Sequence, residues 1–315
     1  MRILIICGPT ASGKSEIALN IAKVVSRPTA IVNIDAIQVY KDIVNITASP
    51  SFEHKKLFPH YLYNYIELDQ KYSIAIYIKH LRGILTDLYK KNILPILVGG
   101  SGLYISSLLF GLSEIEEIKS EIRLEAIKKI DKIGVKNFYH ILLEMDPSIK
   151  NMIDPNNKQR LTRAYEVITQ TGKSIFSYEK KIPIKEIDPI VIYLKSQREL
   201  LYKRCNDRMS VLLKNGGLDE IFSLYQKIYG KKIYSAKAIG VKEFFDYFKG
   251  KHSYKEALTK SQQKTRNYAK RQITWFNNQI LNKDICKYII DFNSENELKE
   301  KIRELKFLPF LEQFL

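Results

Sequence analysis

An eight-residue segment near the start of the chain has the composition of a phosphate-binding loop. It matches the pattern Gly-x-x-x-x-Gly-Lys-Ser and lies between an apolar run and a helical pattern. In such a loop the backbone amides converge on phosphate oxygens, Lys14 supplies a positive charge, and the Ser15 hydroxyl is a ligand for Mg²⁺. The segment therefore predicts a di- or triphosphate site, without specifying the reaction. Its residues are Gly8, Pro9, Thr10, Ala11, Ser12, Gly13, Lys14 and Ser15.

A second candidate for chemistry is the carboxylate of Asp35, which follows the apolar run at 31–34. In a doubly wound sheet the carboxyl ends of the strands face the ligand crevice, so we expect Asp35 close to the phosphate loop. A carboxylate there could hold Mg²⁺ through water or accept a proton from an incoming nucleophile. The alternative is a structural role, in which Asp35 caps the turn that follows.

The strand predicted at 93–98 ends without the Asp or Glu that a P-loop ATPase carries there. Gly99, Gly100, Ser101 and Gly102 follow instead. Glycines allow a bulky ligand to approach the backbone closely. This feature disfavours an ordinary nucleoside triphosphate hydrolase.

The elements that must position these residues alternate between strand and helix. Short apolar runs at 3–7, 31–34 and 93–98 have the composition of strands that are buried on both faces. Between them, apolar residues recur at helical spacing at 17–25 and 74–88. We predict an α/β fold, a P-loop-containing doubly wound parallel sheet with an inserted helical domain.

Three segments are expected along the chain. Residues 1–115 form the first part of the α/β core, and 116–187, charged and helical in pattern without a convincing strand, form the insertion. Residues 188–315 begin with an apolar return to the sheet at 190–194, and helical patterning is expected from 197 to the C-terminus.

The composition favours an anionic partner. Lys and Arg number 51 and Asp and Glu 34, so the formal net charge is +17. Such a surplus is typical of proteins that bind nucleic acid, although a general bias toward Lys also fits. The three cysteines are isolated, and no Cys/His pair has zinc spacing. No signal or membrane-spanning segment is recognisable, so we expect a cytoplasmic protein without membrane association.

The sequence also resembles the tRNA dimethylallyltransferases, in blocks that run in family order from Gly8 to Phe276. The phosphate loop matches the family's letter for letter, and the family's Leu-Val-Gly-Gly-Thr-Gly-Leu-Tyr segment is similar to 97–104. The other similar blocks are Asp35 to Tyr40, Asp154 to Asn157, Gln159 to Ala164, Arg198 to Met209, Lys237 to Glu243 and Thr265 to Phe276.

This resemblance implies transfer of a dimethylallyl group from dimethylallyl diphosphate to the exocyclic amine of the adenosine 3′ of the anticodon in tRNA. It implies Asp35 as the general base, with Thr10 and Lys14 also catalytic, Mg²⁺ at Ser15 and a further diphosphate contact at Arg208. The partner would be the anticodon stem-loop, and a monomer is expected by analogy. The implied tRNA contacts are Asp35, Ala36, Ile37, Gln38, Ser101, Arg123, Gln159, Arg160, Leu161, Thr162, Arg163, Lys237 and Lys242.

The chain departs from the family pattern in two places. Ala36 stands where the family has Ser, which removes a hydroxyl that could contact the base. The family's Gly-Thr-Ala-Lys-Pro segment is Ile-Thr-Ala-Ser-Pro at 46–50, so the loop conformation and a contact at its Lys are open. Tyr40 and Tyr104 are candidates to line the base pocket, with plain packing as the alternative.

Three other functions share parts of this pattern. A P-loop kinase for small molecules has the same loop and core, but it needs neither the +17 charge nor this insertion. A prenyltransferase for free adenine nucleotides shares the donor and has less need of a basic surface. A nucleotide-dependent RNA-binding module without group transfer would carry the acidic residue that strand 93–98 lacks.

Overall fold

The computed structural model describes residues 1–70, 72–227 and 238–305. Backbone contacts divide the chain into two compact units. We call Met1–Ser106 together with Ile184–Leu315 the core unit, and Ser107–Pro183 the helical unit. The helical unit therefore interrupts a core to which the segments before and after it both contribute.

The described residues form eight strands. Six of them build a single sheet in the core unit, and the other two form a short ribbon in the helical unit. The strands are β1 (Arg2–Cys7), β2 (Thr29–Asn33), β3 (His60–Tyr61), β4 (Leu94–Gly99), β5 (Leu112–Ser113), β6 (Lys180–Lys181), β7 (Asp188–Ser196) and β8 (Cys286–Phe292).

The six-stranded sheet has the order β3-β2-β4-β1-β7-β8, and every neighbouring pair is parallel. β1 lies between β4 and β7, with Leu4 beside Ile96 and Ile190. All residues of β2 and β4 are buried, and β1 is buried after Arg2. Strands covered on both faces need continuous apolar runs, which explains the sequence pattern. The predicted parallel α/β class is confirmed.

Eleven α-helices accompany the strands within the described ranges. None of them combines the length and hydropathy that crossing a bilayer would need. They are α1 (Lys14–Val24), α2 (Phe52–Leu57), α3 (Ile74–Lys90), α4 (Gly102–Phe110), α5 (Ser120–Met145), α6 (Lys158–Thr171), α7 (Arg198–Leu212), α8 (Leu218–Lys227), α9 (Val241–Phe248), α10 (Tyr254–Phe276) and α11 (Glu295–Glu304).

The main hydrophobic cluster of the core unit packs α1 and α11 against the sheet. Ile6, Ile17 and Phe292 are fully buried there. Each such side chain contributes about 1.5–3 kcal/mol relative to an exposed position. A second cluster, which includes Val39 and Phe244, packs α7, α9 and α10 against the segment that follows β2. These clusters fix the positions of α1, α7, α9, α10 and α11 in the core unit.

The C-terminal region differs from the expected continuous helical pattern after residue 197. Cys286–Phe292 forms β8, the edge strand beside β7. Its exposed Lys287, Ile289 and Asp291 alternate with better-buried neighbours, so no continuous apolar run marks it. Edge strands with one solvent-facing side carry such mixed patterns.

The helical unit is built on α5 and α6, whose core includes Phe138, Leu142 and Leu161. α5 is interrupted at Gly134, where φ is 80° and ψ is 161°. β5 and β6 pair antiparallel, and the exposed lysines of β6 explain why its sequence carries no strand signal. The unit spans 107–183, against the expected 116–187.

Gly99 ends β4 against the backbone of Ile34, where there is no room for a side chain. A Cβ at this position would lie 2.5 Å from both the carbonyl carbon and the carbonyl oxygen of Ile34. We expect Gly99→Ala to lower the free energy of unfolding by about 1–3 kcal/mol, because overpacking forces the backbone to shift. Chemical denaturation followed by circular dichroism measures this change.

Gly83 of α3 is the matched control, because a Cβ there would meet no atom within 4 Å. Gly83→Ala should raise the free energy of unfolding by about 0.5–1 kcal/mol through the higher helix propensity of alanine. Equal effects of the two substitutions would contradict the close packing at the end of β4.

Candidate active site

The phosphate loop connects β1 to α1 and has an uncommon backbone. Ala11 and Gly13 have φ values of 62° and 90°, in the left-handed region. Gly13 is the N-cap of α1 and provides no side-chain cap. The first amides of α1 are therefore open at the helix end where positive partial charge is concentrated. This arrangement can bind an anion.

Ser12 gives independent support for a ligand at this loop. It is fully buried, and within the described ranges its Oγ has no hydrogen-bond partner. Leaving a buried hydroxyl unsatisfied costs about 1–3 kcal/mol. A phosphate oxygen would accept this hydrogen bond. The loop therefore fits a diphosphate on the chemistry of its own side chains as well as on its backbone.

Three charged side chains of the core unit lie within electrostatic range of one another: Lys14, Asp35 and Arg208. Burial and the Arg208 charge lower the pKa of Lys14 to about 8, while the Asp35 carboxylate acts in the opposite direction. Burial also lowers the pKa of Arg208, again opposed by Asp35. Two cations against one carboxylate leave a net positive site, which an anionic ligand would neutralise.

Both cations hydrogen-bond to backbone carbonyls. Lys14 Nζ donates to Pro9 O at 2.7 Å, and Arg208 Nη2 donates to Thr47 O at 3.4 Å. The donor of each bond is already charged, and a phosphate would add a negative charge on the acceptor, so a phosphate would compete well for these donors.

Asp35 is held by the turn that follows β2. The buried Asn33 donates from Nδ2 to the carbonyls of Asp35 and Leu62, both at 2.9 Å, and accepts from the Asp35 N–H at 2.8 Å. Asp35 Oδ1 accepts from the Ile37 N–H at 2.8 Å. The capping role considered from sequence is therefore real for Oδ1, and Oδ2 is the oxygen that can serve a substrate.

The neighbouring polar groups predicted to face tRNA are engaged within the core unit. Gln38 Nε2 donates to the carbonyls of Thr47 and Ala48, both at 3.0 Å. Gln38 thereby holds the segment that departs from the family pattern. Ser101 is buried, and its Oγ accepts from the Ala36 N–H at 2.9 Å. The side chains of Gln38 and Ser101 thus stabilise the Asp35 loop.

Three tyrosine side chains lie within electrostatic range of Asp35. Burial raises the pKa of Tyr63, Tyr104 and Tyr268, and the Asp35 charge raises each further. Their hydroxyls therefore remain protonated throughout the physiological range. The Tyr104 ring also packs on Tyr77, with ring centroids 4.3 Å apart. The three tyrosines near the carboxylate are therefore neutral.

Sequence reasoning did not single out three residues at this site: Tyr63, Tyr268 and Gln272. The Gln272 Oε1 accepts from the N–H of Thr10 at 2.8 Å, a contact between residues far apart in sequence. The only signal was that Tyr268 and Gln272 fall in the block 265–276 that resembles the family. No spacing rule connects that block to the phosphate loop.

The expected tRNA contacts in the helical unit differ in accessibility. Gln159 and Arg160 are exposed near the start of α6. Leu161 is fully buried in the core of the unit, which corrects the expectation that its side chain contacts RNA. Successive helical residues point about 100° apart, so one neighbour of an exposed pair can face inward.

The other predicted contacts of the helical unit are partly engaged. Thr162 Oγ1 donates to Lys158 O at 2.8 Å, and Arg163 pairs with Glu166 at 3.3 Å. Arg123 of α5 is half-buried, and among described residues its Nε has no partner. An unsatisfied guanidinium nitrogen is a good donor for a phosphate.

The two remaining predicted contacts are Lys242 of α9 and Lys237. Lys242 is exposed, and its Nζ donates to Asp246 Oδ2 at 2.8 Å. Lys237 lies outside the described residues.

Two family models match the sequence. A model described as IPP transferase matches residues 38–279, and one described as isopentenyl transferase matches residues 1–64. The first covers well over half of the chain and includes Arg208. The second includes the phosphate loop and Asp35.

Curated relatives match over nearly the whole length. A tRNA dimethylallyltransferase from Rickettsia bellii (strain OSU 85-389) is 40% identical over 309 residues, which are 97% of this chain and 96% of the relative. One from Orientia tsutsugamushi (strain Ikeda) is 37% identical over 347 residues, covering 97% of this chain and 99% of the relative.

Solved structures agree in fold. The full-length tRNA isopentenylpyrophosphate transferase of Bacillus halodurans has a TM-score of 0.69 at 29% identity and covers 99% of this chain and 97% of its own. A eukaryotic dimethylallyltransferase acting on tRNA has a TM-score of 0.82 at 25% identity, covering 100% of this chain and 80% of its own. Sequence, fold and the phosphate loop lead to the same assignment: this chain belongs to the IPP transferase family, whose curated relatives are named tRNA dimethylallyltransferases.

Proposed function

We propose that this chain transfers the dimethylallyl group of dimethylallyl diphosphate to the exocyclic amine N6 of the adenosine 3′ of the anticodon in tRNA, and releases diphosphate. The observation that carries the proposal is the placement of the Asp35 carboxylate within electrostatic range of Lys14 and Arg208, at a loop suited to phosphate. A base and a leaving-group site thus lie at one edge of the sheet. The names of the relatives and the +17 charge support tRNA as the acceptor.

The phosphate loop would stabilise the charge that develops on the leaving group. Breaking the C1–O bond of the donor places negative charge on the diphosphate, and fixed donors lower the cost of that step. The open amides of α1, the Ser12 hydroxyl, Lys14 and Arg208 can supply these donors. Thr10 belongs to the same loop, and its N–H is fixed by Gln272.

Mg²⁺ is proposed as the metal of this reaction, with Ser15 as its protein ligand. Ser15 is exposed in the first turn of α1. Over 1–70, 72–227 and 238–305, no group of three or more His, Cys, Asp or Glu side chains could hold a metal ion. Phosphate oxygens of the donor are therefore the other natural ligands. When bound, the ion would supply positive charge to the leaving diphosphate.

Asp35 would act on the acceptor. The exocyclic amine of adenine is a weak nucleophile because its lone pair is delocalised into the ring. Asp35 Oδ2 accepts one N6 proton as the N6–C1 bond forms, while the electron pair of the C1–O bond leaves with the diphosphate. Tyr63, Tyr104 and Tyr268, which lie within electrostatic range of the carboxylate, would restrict water there, since water could otherwise capture the allylic carbon.

The RNA must present a single base to this site. The target adenosine is stacked in the anticodon loop and has to leave the stack before its amine can reach a carboxylate. Exposed cations that can hold the RNA backbone occur in both units, among them Arg160, Lys242 and Lys270. We propose a monomer as the acting species, by analogy with the family, and the cytoplasm as the place where it meets tRNA.

The direct test incubates the protein with Mg²⁺, dimethylallyl diphosphate and an anticodon stem-loop RNA, followed by mass analysis of the nucleosides. The wild type should form dimethylallyl adenosine. Asp35→Asn should lower kcat at least about 100-fold, because the amide cannot accept the proton. Its KM for dimethylallyl diphosphate should not rise, since loss of the carboxylate leaves the site more positive.

Asp69→Asn, at an exposed position of the core unit, is the control and should keep wild-type kcat. Phosphate transfer from ATP to a small molecule, with no modified adenosine from the wild type, would support the kinase alternative and exclude the proposed reaction.

The lowered pKa of Lys14 leads us to expect that kcat/KM for dimethylallyl diphosphate depends on pH. Its pKa of about 8 means that the amine is charged below this pH and neutral above it. We therefore expect kcat/KM for dimethylallyl diphosphate to fall as the pH rises through about 8, as steady-state rates between pH 6 and 10 would show. Lys14→Arg keeps its charge over this range and should lose the alkaline fall, with a lower maximum. The same fall in Lys14→Arg would assign it to another group.

Substitutions at the adjacent positions Arg160 and Leu161 of α6 should affect different quantities, RNA affinity in the first case and protein stability in the second. Arg160→Gln should raise KM for tRNA and reduce the slope of log affinity against log salt by about 0.7–0.9, the value for one phosphate contact. Leu161→Ala should keep that slope and lower the free energy of unfolding by about 2–5 kcal/mol, because it leaves a cavity. Filter binding at several salt concentrations and thermal melts measure the two quantities. A wild-type salt slope in Arg160→Gln would remove this residue from the proposed interface.

A further inference from the structure

One face of α10 contacts the glycine-containing segment that follows β4. Tyr268, Gln272 and Trp275 lie at positions i, i+4 and i+7, which share a helix face. The Tyr268 hydroxyl lies near enough to the side chain of Ser101 for that side chain to lower its pKa, against the larger effect of burial. The Trp275 ring lies so close to Gly102 that a Cβ there would come within 2.7 Å of it. This face of α10 is therefore packed directly against the active-site edge of the sheet.

Gln272 uses both ends of its amide at this contact. Its side chain is only 6% exposed. Nε2 donates to Gly100 O at 2.8 Å, and Oε1 accepts from the Thr10 N–H at 2.8 Å. A single side chain thus joins the segment after β4 to the phosphate loop. An apolar side chain at this position would leave the buried Gly100 carbonyl and the half-buried Thr10 amide without these partners.

The phosphate loop, the segment after β4 and α10 are tightly packed where they meet at Gln272. A Cβ on Gly100 would lie 2.5 Å from Gln272 Nε2 and 2.7 Å from Gly8 O. The phosphate loop and the segment after β4 are therefore in backbone contact beside the Gln272 amide. Since tightly packed groups transmit displacements, a change at residue 272 would move the phosphate loop.

The same segment holds the Asp35 loop. Ser101, the residue after Gly100, accepts the Ala36 N–H at 2.9 Å. Contacts therefore run without a gap from Thr10, through the Gln272 amide, to Gly100 and Ser101, and on to the residue after Asp35. One end of this path belongs to the donor site and the other to the proposed base.

We propose that Gln272 is a positioning residue that sets the distance between the phosphate loop, where the diphosphate departs, and Asp35, which receives the amine proton. The inference rests on the proposed function. Gln272 touches neither reacting atom and acts through Thr10 and Gly100. In a transfer that needs attacking nitrogen, allylic carbon and leaving oxygen in line, a misplacement of about 1 Å can lower the rate about 100-fold.

The test compares Gln272→Leu with Gln262→Leu. Gln262 lies on the same helix, and its Nε2 donates to Asn206 O at 3.2 Å and to Ser210 Oγ at 3.4 Å, which joins α10 to α7. Both substitutions remove an amide bridge from α10 and replace it with an apolar side chain. Only Gln272 reaches the phosphate loop with its amide, so the pair separates a general loss of helix packing from a loss of positioning.

Trp275 supplies a readout that does not depend on turnover. It is the single tryptophan of the chain and packs on Gly102 beside the site. Its emission without ligand reports whether the site is folded in each variant. Its change on titration with inorganic diphosphate gives a dissociation constant for the phosphate loop.

We expect folded Gln272→Leu to bind inorganic diphosphate within about threefold of the wild type and to lose at least about tenfold in kcat, with KM for tRNA unchanged. Gln262→Leu should keep wild-type kcat. If Gln272→Leu does not fold, Gln272→Met takes its place with the same expectation. Wild-type kcat in the Gln272 variant, or parallel losses of kcat and diphosphate binding, would overturn the positioning role. An inactive wild type would overturn the proposed function and this inference with it.

Discussion

The register of the parallel strands at one edge of the sheet is the constraint on which the rest of this structure depends. Cys7 lies beside Gly99, and Asn33 lies beside Val98, so β1, β2 and β4 end at nearly the same level. The phosphate loop, the Asp35 turn and the glycine segment all start from these ends. Because each of these segments directly follows a buried strand, the end of that strand fixes the position of the segment's first residues. A shift of register by one residue would separate groups that have to act together.

The groups gathered at this edge lower the stability of the free protein. Ser12 has a buried hydroxyl without a partner in the described structure, and Ala11 has a left-handed backbone. Lys14 binds its proton less tightly than in the unfolded chain, whose pKa is near 10.5. Its charge therefore opposes folding at neutral pH, and this cost disappears as the pH rises from about 8 toward 10.5. Such local costs are typical of sites that a ligand completes.

The parts of the site that consist of short local motifs could be predicted from the sequence. The parts that depend on contacts between residues far apart in sequence could not. The phosphate loop and Asp35 could be recognised because each is a short pattern next to an apolar strand. Gln272 could not, because its partner Thr10 lies 262 positions away. β8 escaped recognition because an edge strand carries exposed residues, including Ile289. Leu161 was included among the implied tRNA contacts because a shared motif does not reveal which of its residues face inward.

The interruption of the core by the helical unit has a consequence for how the chain folds. β1 pairs with β7, with Arg2 beside Asp188, so the centre of the sheet cannot close until most of the chain has been synthesised. Forming contacts so distant in sequence costs loop-closure entropy before the contacts can stabilise the fold, and this cost slows folding. Until then the unpaired side of β1 is open to pairing with another chain.

The helical unit has its own core and is continuous in sequence, and pairing of Leu112 with Lys181 brings its two ends together. By forming first on the ribosome, it would shorten the loop that β1 and β7 must close and reduce the time in which the nascent chain can aggregate.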